Sequence, residues 1–233
     1  MGLDSIEILV KVEKTFGITI PDNEAEKIIT VGDFHDAVWR HLEPKHSEKC
    51  KSQALFYKIR QSAFNRLEFP KNDFKPVTSL NTIFPLEGRR QAYLNFAKAN
   101  DLTFPDLKLT TSWRIFLNAF GLLIIIGGLG IVIIMILFFA YSKWLLLIPV
   151  IGIILTNLVS GILNPKRIII KPGTIREFIN EVLVMNYATL PDKDEVNRGE
   201  VETIINQVIS DMAGLELEEI TVEKKIHDDL GID

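Results

Sequence analysis

The chain has 233 residues, 47% of them hydrophobic, with a formal net charge of −4 and one cysteine. That length holds one or two small domains beside a membrane segment, and the lone Cys50 excludes an intramolecular disulfide. His35, His41, His46 and His227 are scattered and no basic stripe carries interleaved aromatics, so neither a metal site nor nucleic-acid binding is expected. The charge is divided along the chain. Residues 1–42 hold eight acids and four bases, residues 192–233 thirteen acids and four bases, and the 149 residues between them eighteen bases and nine acids. Acidic ends suit docking on basic protein surfaces, and a basic middle suits anionic headgroups.

In chain order, Asp4 precedes an apolar run and Glu7 follows it by three, a capping-box helix start. Leu9, Val12 and Phe16 recur at helical spacing, and Gly17 suits the position just past a helix end. Ile18, Ile20 and Pro21 read as an extended crossing, and residues 22–28 as a short acidic helix. Thr30 with Asp33 opens another helix, with Phe34, Val38 and Leu42 on one face. The N-terminus lacks the apolar core of a signal peptide, and Ile6 breaks the myristoylation pattern that Gly2 would open.

Residues 43–51 form a polar linker. A helix is expected over 52–67, packing through Leu55, Phe56, Ile59 and Phe64, and another over 88–99 with Tyr93, Phe96 and Ala97 inward. Between them, Phe69-Pro70, Lys75-Pro76 and Phe84-Pro85 mark extended or turning chain. Arg89-Arg90 is either a phosphate or headgroup contact or a solvated helix start.

Two apolar runs follow, 115–141 and 144–163, each reaching the ~20 residues that cross a bilayer. Ser142-Lys143, between Tyr141 and Trp144, suits the turn of a transmembrane hairpin with interfacial aromatics. Lys108 and Arg114 before the first run, and Lys166, Arg167 and Lys171 after the second, place both termini in the cytoplasm by the positive-inside rule. Gly152, Thr156 and Ser160 form a small-residue line on the second span. Thr174 caps a helix to about Tyr187, and 191–199 is a charged linker. Val201, Ile204, Ile205, Val208, Ile209 and Met212 then form a helical stripe that Gly214 ends. The chain closes on D-D-L-G-I-D.

The two ends carry a resemblance. From Asp4-Ser5-Ile6 through F-G-I-T-I-P-D-N-E-A-E-K-I (16–28) to T-V-G-D (30–33), the front resembles the second half of an acyl carrier protein. The back, from the 201–212 stripe to D-D-L-G-I-D, resembles the first half of that family. Relative to the family, the stretch from Ser5 to Phe16 is shorter by about three residues, which nearly preserves helical phase. The resemblance implies an all-α fold: a carrier-like helical bundle assembled from N- and C-terminal segments, plus the two-helix hairpin. The segments run 1–42, 43–112, 113–164, 165–199 and 200–233. The halves close either within one chain or between two chains of a swapped homodimer.

It also implies 4′-phosphopantetheine on Ser5 beside Asp4, added by a phosphopantetheinyl transferase. The arm would carry an acyl or aminoacyl thioester to acyl-transferring or acyl-activating enzymes. Those enzymes would dock on Glu7, Glu13, Glu24 and Glu26, and the lipid bilayer is a further partner. The chain itself is not expected to be an enzyme, since no nucleophile–base pair or paired-carboxylate setting is visible. The alternative is a non-carrying, membrane-bound docking or assembly module.

Overall fold

The computed structural model describes residues 3–42, 50–139, 144, 147–190 and 196–232. Its helices are α1 (Leu3–Phe16), α2 (Asp22–Ala25), α3 (Val31–Leu42), α4 (Lys51–Leu67), α5 (Leu80–Ile83), α6 (Arg89–Asn100), α7 (Thr111–Phe139), α8 (Ile148–Ile162), α9 (Ile175–Asn186) and α10 (Arg198–Ala213). Two short strands, β1 (Lys108–Leu109) and β2 (Arg167–Ile169), pair antiparallel. The fold is therefore mostly helical.

The chain divides into two compact units. The first comprises 1–83, 96–105 and 172–233, and the second 84–95 and 106–171.

In the first unit the apolar stripes face one another. Ile8, Leu9, Val12 and Phe16 of α1 are buried, as are Val201, Ile204, Ile205, Val208 and Ile209 of α10 and Phe34, Ala37 and Val38 of α3. α10 packs on α1, α3 and α9, and α4 packs on α9. The caps follow local chemistry. Thr30 and Asp33 form a reciprocal box: the Thr30 N–H donates to Asp33 Oδ2 at 2.8 Å, and the Asp33 N–H donates to Thr30 Oγ1 at 3.0 Å. The Thr30 N–H first, with the Thr30 hydroxyl and the Ile29 N–H, holds the Asp33 carboxyl below its ordinary range. Gly214 ends α10 at φ 71°, a left-handed position that glycine adopts without Cβ strain.

Several buried polar groups in this unit find partners, whereas the buried hydroxyls of Ser62 and Tyr187 have no hydrogen-bond partner among the described residues. The Asn186 amide donates to the Thr103 and Val182 carbonyls, each at 2.7 Å, and its oxygen accepts from the Thr103 N–H at 2.8 Å. Glu200, buried on α10, accepts from the Ser52 N–H at 2.7 Å and the Lys51 N–H at 3.1 Å. A carboxylate 148 residues away in sequence thus caps the first turn of α4, where the helix dipole favours negative charge.

The second unit is turned inside out. After its first turn, which holds Arg114, α7 is apolar apart from Asn118, and only 11% of its most apolar stretch is buried. Of these two helices, α7 alone is long enough to cross a bilayer, at about 43 Å for 29 residues. α8 is a shorter apolar helix, about 22 Å for 15 residues. Both are candidate membrane segments.

They pack antiparallel. A Cβ at Gly121 would meet Thr156 at 3.1 Å, and one at Gly152 would meet Ile124 at 2.7 Å. Gly152 therefore lets the backbones approach closely. The Thr156 hydroxyl donates to the Gly152 carbonyl at 2.8 Å, so it brings no unmet donor into the apolar layer.

Several expectations change. The second apolar run was expected as a span over 144–163, but the described helix begins only at Ile148. Pro149 sits in its opening turn, where a missing N–H costs nothing, and not inside a kinked helix. The proposed turn at 141–143 lies outside the described residues. The acidic helix over 22–28 is a single turn, Asp22–Ala25. Phe64 is 46% exposed, and α4 packs instead through Leu55, Ile59 and Ala63.

Candidate functional site

The candidate site lies where the two ends of the chain converge in the first unit. The main chain crosses directly between them. The Val31 N–H donates to Lys224 O, the Gly32 N–H to Val222 O and the Ile226 N–H to Ile29 O, each at 2.9 Å. Thr30 and Lys225 form an antiparallel bridge. His35 Nε2 lies 2.8 Å from Asn206 Oδ1, and Arg198 of α10 pairs with Asp36 of α3 at 2.6 Å. The front and back segments of the chain are thus hydrogen-bonded and ion-paired to each other in this structure.

At the start of α1, a groove of roughly 190 Å³ is lined from both termini. Asp4, Glu7 and Ile8 stand on one side, Met212 and Ala213 at the end of α10, and Leu230, Gly231 and Ile232 on the other. Gly231 adopts φ 65°, which lets the final residues turn against α1.

Ser5 does not lie in a loop. α1 begins at Leu3, so Ser5 occupies its first turn and is only 6% exposed. The reason was readable: Ser5 has the same helical phase as Ile8, Leu9, Val12 and Phe16, and that face packs inward. Asp4 is exposed at the groove edge, in the first turn, where a negative charge complements the helix dipole.

The four acidic docking candidates separate into two kinds. Glu7 and Glu26 are exposed. Glu13 is engaged internally: its Oε1 accepts from the Ile20 N–H at 2.7 Å and so fixes the crossing after α1. Glu24 pairs with Arg40 at 2.6 Å and His41 at 3.0 Å. The hydrogen bond from Arg40, then that from His41, holds its carboxyl below the ordinary range. Both internally engaged acids leave less free charge for a partner.

Sequence reasoning missed a second cavity, of roughly 250 Å³, lined among others by Cys50, Asn180, Leu183, Glu200, Ile204 and Gln207. Nearby, burial raises the Tyr187 hydroxyl above its ordinary range, and the Lys51 ammonium lies 4.3 Å from the ring centre. The long-range pairing of Glu200 with the start of α4 leaves no local mark in the sequence.

Among the described residues, no group of three or more His, Cys, Asp or Glu side chains is placed to hold a metal ion. A phosphopantetheine arm needs a serine hydroxyl at the surface. Ser5 meets that need only when the first turn of α1 opens, and the groove beside it is bordered by Asp4 and Glu7. First turns of helices are the least costly to open.

Comparison with known proteins gives a partial answer. The chain is 47% identical to the acyl carrier protein of Karelsulcia muelleri (strain GWSS) over 46 residues, which are 20% of this chain and 55% of that protein. It is 42% identical to the acyl carrier protein of Porphyromonas gingivalis (strain ATCC 33277) over 42 residues, 18% of this chain and 54% of the relative. It is 55% identical to that of Helicobacter pylori (strain 26695) over 32 residues, 14% and 41%. The chain spans about half the length of the curated relatives it matches. No protein-family model matches it, and no solved structure does. The chain thus carries an acyl-carrier-protein-like region.

Proposed function

We propose that this protein is a membrane-anchored carrier-like protein whose module is assembled from its two termini, with Ser5 as the attachment point for 4′-phosphopantetheine. When bound, the arm supplies the thiol on which an acyl or aminoacyl group is held as a thioester. The observation that carries this reading is the meeting of the carrier-like front with the back of the chain at one groove: Asp4 and Glu7 face Leu230, Gly231 and Ile232 there. The partial similarity to acyl carrier proteins supports the same reading. Glu7 and Glu26, exposed and acidic, are the residues a basic partner enzyme would meet. The apolar α7 and the 20-residue apolar run that ends in α8 form the anchor, a two-pass hairpin with both termini in the cytoplasm, where a phosphopantetheinyl transferase and coenzyme A would be found.

One observation favours a second reading. Ser5 is 6% exposed, and modification needs its hydroxyl out. If the first turn stays closed, the module docks partners at the membrane without carrying cargo. Intact-mass measurement separates the two. After incubation with a broad-specificity phosphopantetheinyl transferase and coenzyme A, the carrier reading expects a gain of one phosphopantetheine mass that is absent in Ser5→Ala. No gain in a folded chain overturns it in favour of docking.

A further inference from the structure

The second unit has an unbalanced charge. Its residues, 84–95 and 106–171, include eight basic side chains but only two acids, Glu87 and Asp106. Apart from Lys143, which lies between the two helices in sequence, the bases fall around the entry to α7 and the exit from α8. β1 leads directly into α7, and β2 follows the turn that ends α8, so β1–β2 pairing brings the entry and the exit together. Lys108 lies in β1, Arg114 in the first turn of α7, Lys166 in the turn after α8 and Arg167 in β2.

Arg89 and Arg90 join this end through the main chain. Arg89 is buried and donates to Phe84 O at 2.8 Å and Ile168 O at 3.4 Å, so it is a framework residue. Half-buried Arg90 reaches Arg167 O and Asn164 Oδ1 only at 3.4 and 3.3 Å. Arg167 itself donates to Ser160 Oγ at 2.9 Å. Among the described residues, no carboxylate lies within ion-pair distance of Arg90, Arg114, Lys166 or Arg167. Arg114 also sits at the positive end of the α7 dipole, and no acid occupies that first turn. Cations, a helix N-terminus and the start of an exposed apolar surface meet at one level, and the missing component is a negative charge attached to hydrocarbon.

We propose that Arg90, Arg167 and Lys166, with Arg114 at the edge, hold the phosphate of an anionic phospholipid headgroup. The guanidinium forks suit a phosphate, and its acyl chains would lie along the exposed faces of α7 and α8. This rests on the reading of those helices as membrane-embedded.

The test uses the full chain. Flotation with phosphatidylcholine vesicles first shows whether it enters a bilayer. Native mass spectrometry then compares retained phosphatidylglycerol with phosphatidylcholine after extraction from a mixture of the two. The wild-type chain is expected to retain phosphatidylglycerol preferentially. R90Q/R167Q should lower that preference about 30-fold, from ~1 kcal/mol for each cation at a membrane surface. R90K/R167K should keep most of it with unchanged helix content, and K58Q/K98Q, in the first unit, should keep all of it. No preference, or an equal preference in R90Q/R167Q, overturns the inference. So does abolition of the preference by excess inorganic phosphate, which would assign the cluster to a soluble anion. A chain that fails to float overturns the membrane reading and this inference together. One that floats but shows no lipid preference overturns the inference alone.

Discussion

The two units spend the same residue types in opposite ways. In the first, Ile205, Val201 and Val12 are wholly buried and the surface is charged. In the second, Leu123 and Ile162 are about three-quarters exposed, while the bases other than Lys143 fall around the entry to α7 and the exit from α8. The first unit hides its apolar side chains and shows charge, and the second shows apolar side chains along helices that are candidate membrane segments. Burial in the first unit is what makes its helices stable. In the second, satisfied backbone hydrogen bonds and close packing at Gly152 serve that role.

The sharpest way to break this contrast is to place one acid in each unit. Ile205→Asp puts a carboxylate into a wholly buried site and is expected to cost about 4 kcal/mol or more, enough to unfold the first unit. Loss of protease resistance in residues 1–83 would report it. Ile126→Asp, on exposed α7, should leave the first unit intact and lower bilayer insertion by about 3 kcal/mol, read as loss of flotation with vesicles. If the two substitutions had the same consequence, the contrast would collapse.

Next in size is packing. Gly152→Leu must displace Ile124, which lies 2.7 Å from the position of a Cβ, and should weaken the α7–α8 pair by about 1–3 kcal/mol. Energy transfer between labels on the two helices would fall. In the first unit, Glu200→Ala removes the acceptor for the Lys51 and Ser52 amides and should cost about 2 kcal/mol, seen as faster exchange of those two amides.

The smallest effect is electrostatic. The folded-state pKa of Glu24 lies below its unfolded value, so its ion pair contributes stability above pH ~4.5, and that contribution is lost as pH falls through the folded pKa. Because Arg40 is largely exposed, Glu24→Gln should cost no more than about 0.5 kcal/mol at pH 7, and the difference from wild type should vanish in acid. A pH-independent loss would mean that shape, not charge, is what Glu24 supplies.

Much of this was legible in sequence because local rules and burial agree. The caps at Thr30 and Thr174, the stops at Gly17 and Gly214 and the stripe of α10 from Val201 to Ile209 stand where spacing put them, whereas Met212, expected on that stripe, is exposed. The placement of Ser5 was legible too, from its phase with Ile8 and Val12, but a motif reading treats the same residues as a loop. What could not be read depends on distance in sequence. Glu200 reaches α4 across 148 residues, and Arg90 reaches the Arg167 carbonyl across 77. The roles of Glu13 and Glu24 were hidden for the same reason: a carboxylate held by its own fold reads in sequence like one free for a partner.

The account turns on the claim that the two ends of one chain build one closed module. Hydrogen exchange at the amides of Val31, Gly32 and Ile226, which cross between the ends, tests it most directly. At concentrations where the chain is a single copy, all three are predicted to be strongly protected. Val31 and Gly32 should lose that protection when the chain is shortened to end at Gly214. Free exchange in the full chain, protection that survives the shortening, or protection that grows with protein concentration would contradict closure within one chain.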